Sequence, residues 1–130
     1  MIRRLLAHCT VSDIDRAEDW YTRRLGRGPD ARPMPGLIEW NLGDSYGLQV
    51  WSDPDRAGQS SVVVEETDLD EAAAHATEVG ISHHGPQPGG GARILQLADP
   101  DGNRVVLTGP KQSRRSILRI RPVRLFTTYR

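Results

Sequence analysis

The apolar and polar positions of this chain follow two rhythms, and the whole pattern occurs twice. "SDIDRA" at 12–17 returns as "TDLDEA" at 67–72, an offset of 55 residues, and self-similarity at a fixed offset marks repeated structural units. After the first copy, Ala17, Trp20, Tyr21 and Leu25 trace one face at a period near 3.6 before Gly26. After the second, Leu69, Ala72, Ala73, Ala76 and Val79 do the same before Gly80. Each stretch predicts an amphipathic helix. Asp13 and Asp68 stand where an N-cap carboxylate accepts from free amides, Glu71 completes a capping-box pattern, and each glycine suits a left-handed helix end. A strand-like run precedes each helix, "RLLAHCTV" (4–11) and "SSVVVEE" (60–66). Short strand patterns follow: "LIEWNL" and "YGLQVW" in the first half, then "ISHH", "ARILQLA" and "RVVLTG" in the second. "ARPMP" reads as an edge strand, since its two prolines exclude a central place. Each half is thus strand, helix, three strands, with alternation placing Leu6, His8 and Thr10 on one side of the first strand.

Composition narrows the class. With 130 residues, 37% hydrophobic and 26% charged, the chain reads as one globular domain. Its apolar runs are too short to span a bilayer, and "MIRRLLAHC" lacks a signal-peptide core. The lone Cys9 excludes an intrachain disulfide and fits a cytoplasmic location. Net charge is zero, yet all 17 acids lie within 1–110, which leaves that part near −7 and the last twenty residues near +7. The segment 111–130 is therefore a basic tail: an extension, a cover for another subunit, or, less in keeping with an acidic body, a nucleic-acid contact.

Three stretches, "HCTVSDIDRAEDWYTRRLG", "VVVEETDLDEAAAHATEVGI" and "LADPDGNRVVL", resemble the vicinal oxygen chelate superfamily, the glyoxalase, bleomycin-resistance and extradiol-dioxygenase group. The resemblance covers residues 3–109. It implies an α+β fold of two tandem βαβββ modules, about 1–53 and 60–110, forming a curved eight-stranded, half-barrel-like mixed sheet with flanking helices around a cleft, often in homodimers. In metal-using members the ligands come from four strand positions, which correspond here to Leu6, Gln49, Ser61 and Val106. A divalent ion needs imidazole or carboxylate donors to offset its lost hydration. Two of these side chains offer no donor, and the other two offer a neutral amide and a hydroxyl. No metal or other cofactor is expected.

Around those positions the sequence places His8, as a cleft polar group, a structural histidine or a weak catalytic base. Gln49 and Trp51 share strand parity, an amide beside an indole that suits a ligand pocket or the core. Trp40 is cleft wall, core or dimer contact, whereas Trp20 and Tyr21 belong to the helix core. In "DPDGN" (99–103), Pro100 and Gly102 favour a structural turn over acidic ligands. "SDPDRAGQ" (52–59) is a crossover carrying Arg56 as an ion-pair or substrate-entry residue, and "GPQPGGGAR" (85–93) is a loop. His83 and His84 diverge on a strand and do not share an ion.

The leading expectation is a metal-free protein that holds a small, partly aromatic organic molecule through His8, Trp40, Gln49, Trp51, Ser61 and Val106, as a cytoplasmic homodimer without membrane or nucleic-acid partners. One alternative is a metal-independent or relocated-metal lyase, isomerase or dioxygenase-like enzyme using His8, which requires a second ionisable group such as Glu39 or Glu65 in reach. Another is an oligomerisation module with a filled cleft.

Overall fold

A computed structural model describes residues 1–111; the expectations for residues 112–130 lie outside them. Element order is β1 (Leu5–Val11), α1 (Ile14–Leu25), β2 (Ala31–Met34), β3 (Leu37–Asn41), β4 (Tyr46–Ser52), β5 (Ser61–Glu65), α2 (Leu69–Glu78), β6 (Gln87–Gly89), β7 (Ala92–Ala98) and β8 (Arg104–Gly109). The strands form two four-stranded sheets of matching order, β1-β4-β3-β2 and β5-β8-β7-β6. The repeat thus appears as two βαβββ modules, with two separate sheets where a single eight-stranded one was expected.

By contacts, the described residues divide into two compact units: Met1–Val63 with Leu97–Val106, and Val64–Gln96 with 107–111. In the first, β1 runs parallel to β4, and β3 runs antiparallel to it. Helix α1 begins where Asp13 accepts from the amides of Asp15 and Arg16, and it ends at Gly26 with φ +82°. Its inner face buries Ala17, Trp20 and Tyr21. The rings of Trp20 and Tyr21 meet edge to face at 4.7 Å, and Tyr21 lies 6.0 Å from Trp40. Cys9, Val11, Ile38, Trp40, Leu48 and Val50 supply the rest of this core. β2 takes the edge, where its Pro33 loses no ladder bond.

The DPDGN turn anchors this unit. Asp99 accepts from the amides of Asp101 (3.0 Å) and Asn103 (2.9 Å), from the Asn103 side chain (2.8 Å) and from the Tyr21 hydroxyl (2.7 Å). Gly102 supplies φ +91°. Asn103, fully buried, accepts from the Ser60 amide at 2.7 Å and donates to the Thr10 carbonyl at 2.8 Å. The acidic residues are therefore turn and packing groups, as their spacing indicated. Beyond the turn the chain enters an inner strand with Val105 and Leu107 buried, which accounts for the abrupt change from polar to aliphatic.

In the second unit, Asp68 caps α2 by accepting from the Glu71 amide, and Arg93 makes a two-pronged ion pair with Asp70. Here one strand assignment is corrected: residues 81–84 are not a strand, and the edge strand is β6 within the stretch read as a loop. His83 explains the change. Its ring is tied to α2 through the Thr77 hydroxyl (2.8 Å) and the Ala73 carbonyl (3.1 Å), and it accepts from the Gly85 amide (3.0 Å). Those bonds hold the backbone against the helix end instead of in a ladder.

Candidate functional site

Register decides which side chains meet on the first sheet. His8 lies opposite Gln49, and Gln49 opposite Glu39; on the same side Thr10 pairs with Trp51, and Leu6 with Gly47. The other side carries Cys9, Val50, Ile38, Leu48 and Trp40 toward α1. One surface of the sheet is a helix-packed core, and the other is a polar face built from β1, β4 and β3.

That face holds a continuous series of polar contacts, hydrogen bonds joined by one ion pair. Arg4 donates to the Asn41 side-chain oxygen at 2.7 Å and approaches the Glu39 carboxylate at 3.5 Å. The Gln49 amide nitrogen donates to Glu39 Oε2 at 3.2 Å, and its oxygen accepts from His8 Nδ1 at 2.8 Å. His8 Nε2 stands 3.2 Å from the Thr10 hydroxyl. Glu39 is only 9% exposed, whereas His8 is open and Trp51 half-buried. A buried carboxylate requires partners, and Arg4 and Gln49 provide them. At the far end, Leu6 covers Gly47: a Cβ there would sit 2.8 Å from Leu6 Cδ2 and 2.4 Å from the Trp40 carbonyl oxygen.

The sequence-predicted residues divide accordingly. His8, Gln49 and Trp51 share this face, with His8 and Gln49 in direct contact. Trp40 is corrected: it is fully buried on the opposite side, where its indole nitrogen donates to the Arg27 carbonyl at 2.9 Å. Its strand partner is Leu48, not Gln49, so parity sends it to the core. Ser61 is exposed at the start of β5, and Val106 is half-buried in β8. Ser60, not Ser61, makes the structural bond, accepting from the Thr10 amide at 3.0 Å. Arg56 is exposed in the crossover. Of the two carboxylates considered for His8, Glu39 reaches it through Gln49, and Glu65 is an exposed residue of the other unit. Arg4 was not anticipated, and Thr10, placed on the side of His8 by alternation, was not named as a site residue.

The side chains at the four strand positions that the resemblance points to are poor donors for a dication. Leu6 and Val106 have no donor atom, Ser61 and Gln49 are neutral, and Gln49 already spends both ends of its amide on Glu39 and His8. Among the described residues no three His, Cys, Asp or Glu side chains come together in a way that would hold a metal ion. Burial above all, and to a lesser degree the nearby Asp99, raises the Cys9 thiol pKa, which disfavours the thiolate. A separate cavity of about 470 Å³ opens on the helix side between α1 and the β2–β3 turn. Its charged lining includes Glu18 and Arg32, which neutralise each other in a two-pronged ion pair. The polar face offers the better-organised chemistry.

No protein-family model and no curated protein sequence matches the chain. Solved structures do. A glyoxalase/bleomycin resistance protein from Catenulispora acidiphila is 27% identical with a TM-score of 0.75, over 82% of this chain and 96% of that one. The bleomycin resistance determinant encoded on the transposon Tn5 is 25% identical with a TM-score of 0.70, over 83% and 98%. A lactoylglutathione lyase from Agrobacterium tumefaciens, 18% identical, has a TM-score of 0.69 over 82% and 92%, a likeness of fold alone. The chain has the vicinal oxygen chelate fold, as its motifs indicated. That fold serves both binders and enzymes, so function rests on the site.

Proposed function

We propose that this protein binds a small, partly aromatic organic molecule on the polar face of the first sheet and does so without a metal ion. The observation that carries this reading is the ordered series Arg4, Glu39, Gln49, His8 and Thr10 beside the Trp51 indole, on the side of the sheet that α1 leaves uncovered. A flat ring supplies stacking area and fixed polar groups supply orientation, the usual division of labour in ligand sites. The likeness to bleomycin resistance proteins supports binding as the activity. Val106 and Ser61 are assigned to the same ligand surface as supporting contacts. Titration of chelator-treated protein with aromatic organic molecules, bleomycin among them, tests the proposal by tryptophan fluorescence. Saturable quenching at one ligand per chain, lost in Trp51→Phe, supports it; a panel that never changes the emission counts against it.

One observation favours a second reading, a metal-independent enzyme: Glu39 backs His8 through Gln49, the ionisable partner that a histidine base requires. Turnover of any bound molecule that disappears in His8→Ala distinguishes it from simple binding.

The assembly we infer is a cytoplasmic homodimer. The exposed apolar residues Leu5, Tyr46 and Val63 support a covered surface, and light scattering after gel filtration checks the mass.

A further inference from the structure

Resting on the polar face as the ligand site, we propose that Glu39 is a positioning residue which, acting through Gln49, holds His8 as the Nδ1–H tautomer and so selects ligands that present an O–H or N–H donor to Nε2. Glu39 Oε2 accepts, so the Gln49 end 3.2 Å away is its NH₂ group, and the opposite end, 2.8 Å from His8, is the carbonyl oxygen. A carbonyl oxygen has no proton to give, so Nδ1 carries the hydrogen. In the neutral imidazole the remaining nitrogen, Nε2, then bears a lone pair. Arg4 stands 3.5 Å from the other Glu39 oxygen, which leaves Oε2 to Gln49.

The lone pair is only loosely occupied. Its neighbour is the Thr10 hydroxyl at 3.2 Å, longer than an ordinary O–H hydrogen bond and also longer than the Nδ1 contact. Thr10 is nearly buried, whereas His8 is exposed, so an incoming donor approaches Nε2 from the open side and displaces the weaker partner. The strand partner of Thr10 is Trp51 on the same face, which puts an aromatic residue one strand away on the surface that the donor approaches. The ligand class is thus a hydroxylated or N–H-bearing aromatic, a phenol in the simplest case. Aromatic ethers and bare hydrocarbons give Nε2 nothing to accept.

Two readouts test this. The first is the ¹⁵N spectrum of the His8 ring in the full chain, on the basic side of its titration. The wild type should show Nδ1 protonated and Nε2 unprotonated. Glu39→Gln, whose amide is able to donate to Gln49 and reverse it, should move a substantial share of the population to the Nε2–H form. Gln49→Leu, which removes the acceptor altogether, should do the same. The second is binding of 2-naphthol against naphthalene and 2-methoxynaphthalene, with an expected preference of about tenfold for the naphthol, the worth of one hydrogen bond, shrinking in Glu39→Gln. A wild-type ring protonated at Nε2, a tautomer ratio untouched by both substitutions, or equal binding of the three probes would overturn the proposal. An Nδ1–H ring that responds to Glu39→Gln while no probe binds supports the positioning role and removes the ligand site on which selectivity depends.

Discussion

The side-chain amide of Asn103 donates to the carbonyl of Thr10 at 2.8 Å, across 93 residues of chain. The same side chain accepts from Ser60 and donates to Asp99, with no exposure to solvent. The residue that ends the DPDGN turn therefore fastens the strand that carries His8. Asn103→Ala strands several buried polar atoms at once, and each lost partner typically costs about 1–3 kcal/mol. Urea denaturation should show a loss of about 3 kcal/mol or more with an unchanged slope, whereas Asp55→Ala, in an exposed turn, should stay within about 0.5 kcal/mol.

Alkaline pH should destabilise the fold. Burial raises the Tyr21 hydroxyl above its ordinary value of 10.0, reinforced by Cys9 and Asp99, and burial likewise raises the Cys9 thiol above 9.0. The unfolded chain loses these protons first, so the stabilisation is complete below pH 9 and is lost as pH climbs through 9 and 10. The slope approaches about 1.4 kcal/mol per pH unit for each group. Denaturation midpoints should hold between pH 7 and about 9 and fall from there to pH 11, and Tyr21→Phe should flatten the part beginning near pH 10 while removing about 1 kcal/mol at neutral pH.

The two tryptophans of the first sheet should separate by role. Trp40→Phe opens the core and removes the bond to Arg27, at a cost of about 1–3 kcal/mol, without altering ligand preference. Trp51→Phe should shift the thermal midpoint by far less and weaken aromatic ligands. Equal stability losses would mean that Trp51 is also core.

Gly47 should tolerate no side chain. In Gly47→Ala the new methyl meets the Trp40 carbonyl oxygen at 2.4 Å, and backbone is slow to yield. Thermal denaturation should report a loss of about 1–3 kcal/mol.

Much of the architecture was readable from residue pattern because it rests on local rules. Asp13 and Asp68 cap their helices, Gly102 takes the positive φ that its turn requires, and Pro33 sits on an edge strand. Trp40 and His83 show where local rules end. Strand parity groups Trp40 with Ile38 but does not say which side the helix will cover, and His83 is held by Ala73 and Thr77, contacts that only tertiary packing creates. Of the site, His8, Gln49 and Trp51 were identified by position. Arg4 was missed because its partners, Asn41 and Glu39, come from register between strands distant in sequence, and Thr10, although placed on the side of His8, carried no signal of the contact its hydroxyl makes there. The visible signal for Glu39 was a charge within the apolar run "LIEWNL".

The most direct test of the account is ligand titration of chelator-treated protein with and without added zinc, manganese or nickel, with metal content measured on the same samples. The account predicts saturable binding in the stripped protein, unchanged by any of the ions, and far less than one metal per chain retained. Binding that appears only when an ion is added and retained at one per chain would contradict it.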